Sequence, residues 1–244
     1  AKFDGMNDAW RMIPPIPVAG GFLNVEIRPA DDRLPINSLA NQDEKVKERV
    51  REAFEELYTE LDYDQELWHS LHDWVNPDNS TEFLSLNVAD NVFNREGNSY
   101  KARHAPMSSL AELRNLPYYP GIYRDIVQYL CIGETDPKIN IHFASPEVIR
   151  ALMPELDSYI DRIVEQREEQ PFEKKDEIYA LMGSSNRDLY TNILPFFDVK
   201  STLYYVKIEL NLLDKEQYYH VLMRRSGKSM SVVRYIEGRS INYF

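Results

Sequence analysis

The chain has 244 residues and a formal net charge of −12, and 43% of its residues are hydrophobic and 12% aromatic. This composition supports a folded core and excludes a largely disordered chain. The negative charge disfavours nucleic acid as a partner, because affinity for it comes largely from neutralising phosphates. The charge is uneven: eight basic and four acidic residues give the range 199–244 a net +4, which leaves −16 on the remainder. This contrast predicts two structural parts.

The N-terminal part is predicted to contain loops and short strands. Three prolines and a Gly-Gly pair make residues 1–21 loop-like, and alternation predicts a strand at 22–28. Residues 34–37 read as a second extended piece. No apolar span of about 20 residues occurs, so no membrane-crossing helix is predicted. The sequence starts at Ala1 without Met, as expected if an N-terminal segment precedes it.

Helices are predicted for the middle of the chain. A capping box from Asn41 to Glu44 is expected to open the first helix, and Asp62 or Asp64 the second. A polar, Asn-rich stretch at 76–97 is predicted to be a loop. Ser109 is expected to cap a further helix, with Glu112 completing the capping pattern.

The next segment is predicted to form paired helices, followed by strands. Cys131 lies in an apolar run, and we expect it to be a buried small side chain. Ser145 and Pro146 are typical of a helix start, and helical spacing continues to 182. Alternation then predicts an antiparallel meander of three strands near 204–212, 218–225 and 231–236.

Strands at both ends of a chain commonly complete one sheet, so the helices read as an insertion. The sequence therefore predicts an α+β fold with two domains. Residues 1–40 and 187–244 form the sheet domain, and residues 41–186 form an inserted α-helical domain.

The loop after the second helix is the best candidate for an ion site. Ca²⁺ prefers six to eight oxygen ligands, which Asp, Asn and Glu on a flexible loop can supply. The candidate ligands are Asp73, Asn76, Asp78, Glu82 and Asp90. The spacing is not that of an EF-hand, and such loops are usually solvated turns. His69 and His72 lie three apart on a helix and could be zinc ligands, but no further Cys or His cluster accompanies them, so an amphipathic helix is favoured.

Enzyme motifs are missing from the sequence. It contains no Gly-rich phosphate loop, no G-x-S-x-G elbow and no H-E-x-x-H. We therefore expect no catalytic site and no enzymatic activity.

The segment 145–182 has the cadence of a helix-hairpin-helix unit, so a competence-like nucleic-acid-binding module is the alternative function. DNA-binding units of this kind turn on glycines whose N–H groups approach a phosphate. The corresponding stretch, residues 153–158, has no glycine and holds two acids. Phosphate binding is therefore disfavoured.

Six motifs in order resemble the periplasmic part of general secretion pathway protein K, the K-type minor pseudopilins of type II secretion. They are P-P-I-P-V-A-G-G (Pro14–Gly21), D-D-R-L-P-I-N-S-L (Asp31–Leu39), L-H-D-W-V-N-P-D (Leu71–Asp78), Ala89-Asp90, Y-K-A-R-H-A-P-M-S-S-L-A-E-L (Tyr100–Leu113) and I-N-I-H-F-A-S-P-E-V (Ile139–Val148). No single motif is specific, but together they cover residues 14–182.

This resemblance implies a pilin-like antiparallel sheet with a large inserted α-helical domain of helix-hairpin-helix or SAM-like type. It implies a non-enzymatic protein at the pseudopilus tip that helps to initiate assembly and export across the outer membrane. The implied partners are the I- and J-type minor pseudopilins, with no nucleic acid. The implied location is the periplasm of a Gram-negative bacterium, with an inner-membrane anchor in an N-terminal helix absent from this sequence. Family members hold calcium in the helical insert, which supports the Asp73–Asp90 loop, although Asn76 replaces an Asp and Ala89-Asp90 lacks a Glu.

Overall fold

A five-stranded antiparallel sheet joins strands from the two ends of the chain, as the sequence predicts. This computed structural model describes residues 3–77, 103–116, 118–213 and 215–239. Within those ranges the strands are β1 (Ile16–Val18), β2 (Gly21–Pro29), β3 (Leu34–Pro35), β4 (Leu130–Cys131), β5 (Ile139–Asn140), β6 (Phe197–Asp198), β7 (Leu203–Leu212), β8 (Lys215–Ser226) and β9 (Ser229–Glu237). The helices of the same ranges are α1 (Glu44–Glu60), α2 (Gln65–Val75), α3 (Tyr119–Ile126), α4 (Pro146–Leu152), α5 (Ile160–Glu169), α6 (Asp176–Met182) and α7 (Arg187–Ile193). The predicted α+β class is confirmed.

The sheet has the strand order β1-β2-β7-β8-β9. β2 runs antiparallel to β7 with Ile27 opposite Val206, which brings a strand of the first 30 residues beside the C-terminal meander. β8 and β9 form a hairpin in which the register shifts between Leu222 and Met223. This shift makes Val233 an extra residue in β9, a β-bulge that bends the strand locally.

The two faces of the sheet differ in polarity. Strand register places apolar side chains together on one face, which we name the apolar sheet face. Its members are Ile16, Val18, Leu23, Val25, Ile27, Tyr204, Val206, Ile208, Leu210, Leu212, Tyr219, Val221, Met223, Met230, Val232 and Tyr235. On the opposite face β7 carries Lys207, Glu209 and Asn211. The predicted strand is therefore confirmed as β7, in which residues 203–206 are all buried and residues 207–212 are all half-buried.

Helix α1 buries one apolar stripe, and its cap lies two residues after the predicted capping residue. The stripe consists of Val50, Ala53, Phe54, Leu57 and Tyr58. The cap is Asp43, whose carboxylate accepts hydrogen bonds from the N–H groups of Lys45 and Val46 at 3.0 and 3.1 Å. The prediction of a capping box at Asn41 is wrong, because the Asn41 side chain accepts the Asp43 N–H at 2.8 Å instead. Asp43 is favoured since it stands directly before the first helical turn.

Helix α2 begins after Asp64, which caps it by accepting the Glu66 N–H at 2.9 Å, as one of the two predicted starts. Its buried side chains are Leu67, Trp68, Ser70, Leu71, His72, Trp74 and Val75. The Tyr119 hydroxyl donates to the Leu67 carbonyl at 3.0 Å, and the Tyr58 hydroxyl lies 2.6 Å from that of Tyr119. Two phenols can therefore be buried together because each has a hydrogen-bond partner.

A two-stranded parallel sheet, β3 with β4, depends on a glycine. Gly133 has φ +51°, and a Cβ there would lie 2.3 Å from Cβ of Pro35. Glycine alone avoids both the backbone strain and the collision. Cys131 in β4 is buried, and its Sγ donates to the Arg33 carbonyl at 3.4 Å, which confirms the prediction of a buried small side chain.

Packing divides the chain into two compact units. The first comprises Ala1–Asp32, Lys138–Pro146 and Glu155–Phe244, and the second Arg33–Pro137 and Glu147–Pro154. Residues 155–186 thus group with the sheet, whereas the sequence placed them in the inserted helical domain of 41–186. Part of the reason is that β5 pairs with β6 and that Arg167 binds two carbonyls near β5. The predicted boundaries of the sheet domain and of the inserted helical domain remain a prediction.

Candidate interaction surface and ion-binding loop

The motif Asp31–Leu39 supplies buried polar side chains that bind backbone groups far away in the sequence. The Arg33 guanidinium donates to the carbonyls of Val127 and Leu130, both at 3.2 Å. The Asn37 amide brackets Met107: it donates to the Met107 carbonyl at 3.1 Å and accepts the Met107 N–H at 2.7 Å. These buried groups satisfy loop backbone that would otherwise lose its hydrogen bonds. The motif therefore has a structural role.

A cluster of four residues, which we name the Glu112 cluster, consists of Trp74, Arg103, Ser108 and Glu112. The Glu112 carboxylate accepts the Ser108 N–H at 2.7 Å, the Arg103 guanidinium at 2.8 Å and the Trp74 indole N–H at 3.2 Å. Burial by itself would raise the pKa of Glu112, but these hydrogen bonds outweigh it and lower the pKa. The Ala105 N–H also donates to the Trp74 carbonyl at 3.3 Å. The cluster therefore holds the end of α2 beside the segment that starts at residue 103.

The sequence predicted that Ser109 and Glu112 cap a helix, and the structure confirms this only in part. Ser109 does cap, since its hydroxyl accepts the Ala111 N–H at 3.2 Å, but the element is a 3₁₀ helix, Leu110–Asn115. The Glu112 side chain binds the N–H of Ser108, one residue before the cap. No local pattern indicates the contacts of Glu112 with Trp74 and Arg103.

The first two predicted calcium ligands lie at the end of α2. Asn76 is the C-cap, and its buried amide Nδ2 lies 3.5 Å from Nε2 of His72. The Asp73 carboxylate is 22% exposed and lies 3.7 Å from Nδ1 of His72. The other predicted ligands, Asp78, Glu82 and Asp90, lie outside the described residues. In the described ranges, no three His, Cys, Asp or Glu side chains are grouped to hold a metal ion.

Two buried carboxyl groups meet the start of β7. Asp4 accepts the Ser201 N–H at 2.8 Å and a bidentate pair from Arg225, with one Nη at 2.9 Å. Burial favours a higher pKa for Asp4, but the Arg225 and Ser201 hydrogen bonds lower it. Asp31 accepts the Thr202 N–H at 2.7 Å, and its burial raises its pKa to about 7. The pKa values of the two carboxyls are therefore shifted in opposite directions, because Asp4 has a guanidinium bound whereas burial dominates at Asp31.

His142 in the I-N-I-H motif is buried against aromatic rings. Its ring stacks on Phe172 with centroids 5.8 Å apart, and burial lowers its pKa to about 4. Arg167 lies in the same unit and donates to the carbonyls of Ile141 and Ala144 at 2.8 and 2.7 Å. A neutral imidazole is favoured here because a second positive charge beside Arg167 would be buried. This histidine therefore belongs to the core.

The predicted helical pair is present as α4 and α5, with a 3₁₀ helix between them, Pro154–Tyr159. Its first turn carries Glu155 and Asp157. A phosphate bound there would meet two carboxylates in place of glycine N–H groups, and the like charges would repel it. The geometry disfavours this stretch as a phosphate site.

The apolar sheet face is partly open in the described ranges. Its members Ile16, Val18, Met230, Val232 and Tyr235 are exposed by 37–61%. A pocket of about 450 Å³ lies at one end of this face. Its walls include Trp10, Ile27, Tyr204, Val206, Met223 and Met230. Contiguous exposed apolar surface of this kind is typical of an interaction surface.

Two family models match consecutive parts of the chain. Both carry the description "Type II secretion system (T2SS), protein K", and they cover residues 32–134 and 139–200. Together they span well over half of the 244 residues. In the described ranges, no helix is both long and apolar enough to cross a bilayer.

One curated relative and one solved structure agree with this match. The chain is 24% identical over 237 residues to "Type II secretion system protein K" of Pectobacterium carotovorum subsp. carotovorum, across 89% of this chain and 70% of the relative. The fold is similar to a chain in the crystal structure of the GspK-GspI-GspJ complex of the enterotoxigenic Escherichia coli type 2 secretion system. The TM-score is 0.76 at 18% identity, with 98% of this chain and 88% of the other covered.

Proposed function

Because this chain belongs to the family of type II secretion system protein K, the K-type minor pseudopilins, we propose that it caps the pseudopilus tip and helps to initiate its assembly. Protein export across the outer membrane is the process that this assembly serves. The observation that carries the proposal is the apolar sheet face. A sheet with a partly exposed apolar face can bury that face against another apolar element.

We propose that this element is an N-terminal hydrophobic helix, as the family resemblance implies. Val25, Ile27 and Ile208 on this face are neither fully buried nor fully exposed, which suits contact with a helix. Such a helix would also anchor the protein in the inner membrane and leave the described domain in the periplasm. Its apolar contact would contribute about 25 cal/mol for each Å² removed from water.

The proposed partners are the I- and J-type minor pseudopilins. Their support is the similarity of this fold to a chain of a solved complex that contains GspK, GspI and GspJ. The test mixes this chain with the soluble domains of its cognate I- and J-type pseudopilins and measures the mass of the product by light scattering. A heterocomplex is expected. A chain that elutes alone at every concentration and salt tested would remove the main support.

The proposal includes no catalytic turnover. The buried titratable groups Asp4, Asp31 and His142 bind backbone or pack on aromatic rings of the interior. A catalytic acid or base must reach a substrate atom within hydrogen-bond distance. These three groups act instead as structural side chains.

Calcium in the loop after α2 is also part of the proposal. Asp73 and Asn76 are three residues apart where that loop begins, and both carry the oxygen donors that Ca²⁺ prefers. In the Glu112 cluster, Trp74 and Arg103 both donate to one carboxylate. Residues on either side of the predicted loop are therefore held close together. Bound calcium would neutralise carboxylates that otherwise repel one another. Melting with calcium and with chelator tests the site.

No observation favours the nucleic-acid alternative. The acids Glu155 and Asp157 lie in the turn that would have to meet a phosphate, and the chain carries a net −12. We expect no shift of a labelled DNA duplex at low salt. Micromolar binding that weakens steeply with salt would overturn the proposed function.

A further inference from the structure

Residues 4–12, which we name the flap, lie over one end of the apolar sheet face. Asp4 and Gly5 are buried, whereas residues 6–12 are half-buried or exposed. The single turn of 3₁₀ helix in the flap, Ala9–Arg11, buries no side chain. Segments with few buried contacts separate from a folded protein at a lower free-energy cost than its central strands. The flap is therefore a candidate moving element.

The first residue of the flap fixes it to β8 and to the segment before β7. The Asp4 carboxylate accepts the Ser201 N–H at 2.8 Å and the Arg225 guanidinium at 2.9 Å. The Asp4 N–H donates to the Val199 carbonyl at 2.9 Å. The side chains of the ion pair are only 3% and 24% exposed, and charged hydrogen bonds of this kind are strong. We name this set of bonds the Asp4 clasp.

Other polar groups of the flap bind within the flap itself. The Asp8 carboxylate accepts the Gly5 N–H at 3.0 Å and the Trp10 indole N–H at 2.9 Å. The Arg11 guanidinium donates to the Met6 carbonyl at 2.8 Å. These bonds use no group of the sheet, so they persist when the flap moves away and its donors are not left unpaired. The flap can therefore open as one unit once the clasp is released.

The flap covers apolar side chains without packing closely on them. The Trp10 ring meets the Tyr204 ring edge-on, with centroids 5.5 Å apart, and the Arg11 guanidinium lies 5.4 Å from the centroid of the Phe143 ring. Tyr204 and Val206 are only 5% and 8% exposed. The pocket of about 450 Å³ nevertheless lies between the flap and these strands, whereas well-packed interiors hold few voids larger than a water molecule. The clasp and a few ring contacts therefore hold the flap in place of close packing.

We propose that the flap is an autoinhibitory cover, which closes one end of the apolar sheet face and opens as a unit while the sheet stays folded. In the closed state it occupies the apolar surface at Tyr204 and Val206, on which another apolar element could pack. In the open state this surface joins the half-buried part of the same face at Val25 and Ile208. The open form is the minor state, and an element that binds the uncovered surface increases its population. This device goes beyond the tip function and does not depend on it.

Amide hydrogen exchange of the whole chain, corrected for intrinsic rates, tests the flap. The Ser201 N–H is bound by Asp4 of the flap, whereas the Val206 N–H lies within β7, between β2 and β8. We expect the Ser201 amide to exchange at least tenfold faster than the Val206 amide, because it needs only the flap to open. Exchange at Ser201 should also speed up at low urea concentrations, since opening exposes apolar surface. Equal protection of both amides, or no dependence on urea at Ser201, would overturn the proposal.

Two variants separate opening of the flap from unfolding of the sheet. Leu222→Ala removes a buried side chain of β8 on the face opposite the flap, so it should speed exchange at Val206 at least tenfold and leave exchange at Ser201 unchanged. Asp4→Asn weakens the clasp and should speed exchange at Ser201 at least tenfold, whereas the exposed control Asp161→Asn should not. An equal effect of Leu222→Ala on both amides means that the flap opens only with the sheet and refutes the cover. If either variant fails to fold, the urea dependence measured on the unaltered protein decides.

Discussion

Replacing Asp31 with asparagine tests whether the buried carboxyl at the start of β7 is protonated in the folded protein. Asp31 is 7% exposed, and its Oδ2 accepts the Thr202 N–H. Burial is the main cause that raises its pKa from 3.8 to about 7. The substitution keeps an oxygen acceptor for Thr202 and removes the ionisable group.

The sign of the effect follows from proton binding. The folded state binds the proton more tightly than the unfolded state, so the stability from this group is fully present below pH 3.8 and is lost as pH rises through about 7. With those two pKa values, the contribution falls by about 2.5 kcal/mol between pH 5 and pH 8. Asp31→Asn has no such loss. From pH 5 to pH 8, the free energy of unfolding of Asp31→Asn should therefore rise by about 2.5 kcal/mol relative to that of the unaltered protein.

The assay is urea unfolding of both proteins at pH 5 and pH 8. Other titrating groups, such as Asp4 and Glu112 with their lowered pKa values, are common to both proteins and largely cancel in the difference. Asp161→Asn, an exposed position on α5, is the matched control and should show a difference independent of pH. A difference for Asp31→Asn that is the same at both pH values would refute a protonated Asp31.

Three other predictions test the loop, the Glu112 cluster and the β3–β4 connection. Calcium in place of chelator should raise the melting temperature by several degrees, since binding to the folded state alone adds about 2.7 kcal/mol at a hundredfold excess over Kd. Asp78→Ala should abolish this shift. Identical melting curves with calcium and with chelator would contradict a calcium site in the loop. Glu112→Ala should lower the free energy of unfolding by about 2 kcal/mol, because it leaves the partly buried donors of Trp74 and Ser108 unpaired. The exposed control Glu48→Ala should change it little, and equal losses in urea unfolding would contradict the cluster. Gly133→Ala should lower the free energy of unfolding by about 2 kcal/mol or more, because of its positive φ and a Cβ contact of 2.3 Å. Its control, Gly121→Ala, lies in a helix with open space around it and should be neutral or stabilising by up to about 1 kcal/mol.

The sequence by itself determined the elements whose signal is local. The alternation along 204–212 predicted β7, and the apolar spacing predicted α1. The sequence offered Asp62 or Asp64 as the start of α2, and the structure uses Asp64. The placement of strands from both chain ends in one sheet was also correct. These features follow from the period of burial along a strand or a helix, which neighbouring residues alone express.

Other features of the candidate surfaces were decided by the tertiary structure. Arg225 binds Asp4 from 221 positions away, and Trp74 binds Glu112 from 38 positions away. With 28 basic and 40 acidic residues, many pairings of this kind are possible, and the sequence does not indicate which of them form. The Asn41 cap failed for a local reason, because Asp43 stands nearer to the helix and accepts the N–H groups of Lys45 and Val46. Polar partners depend on which distant segments meet, and that meeting is set by packing of the whole chain and not by any local pattern.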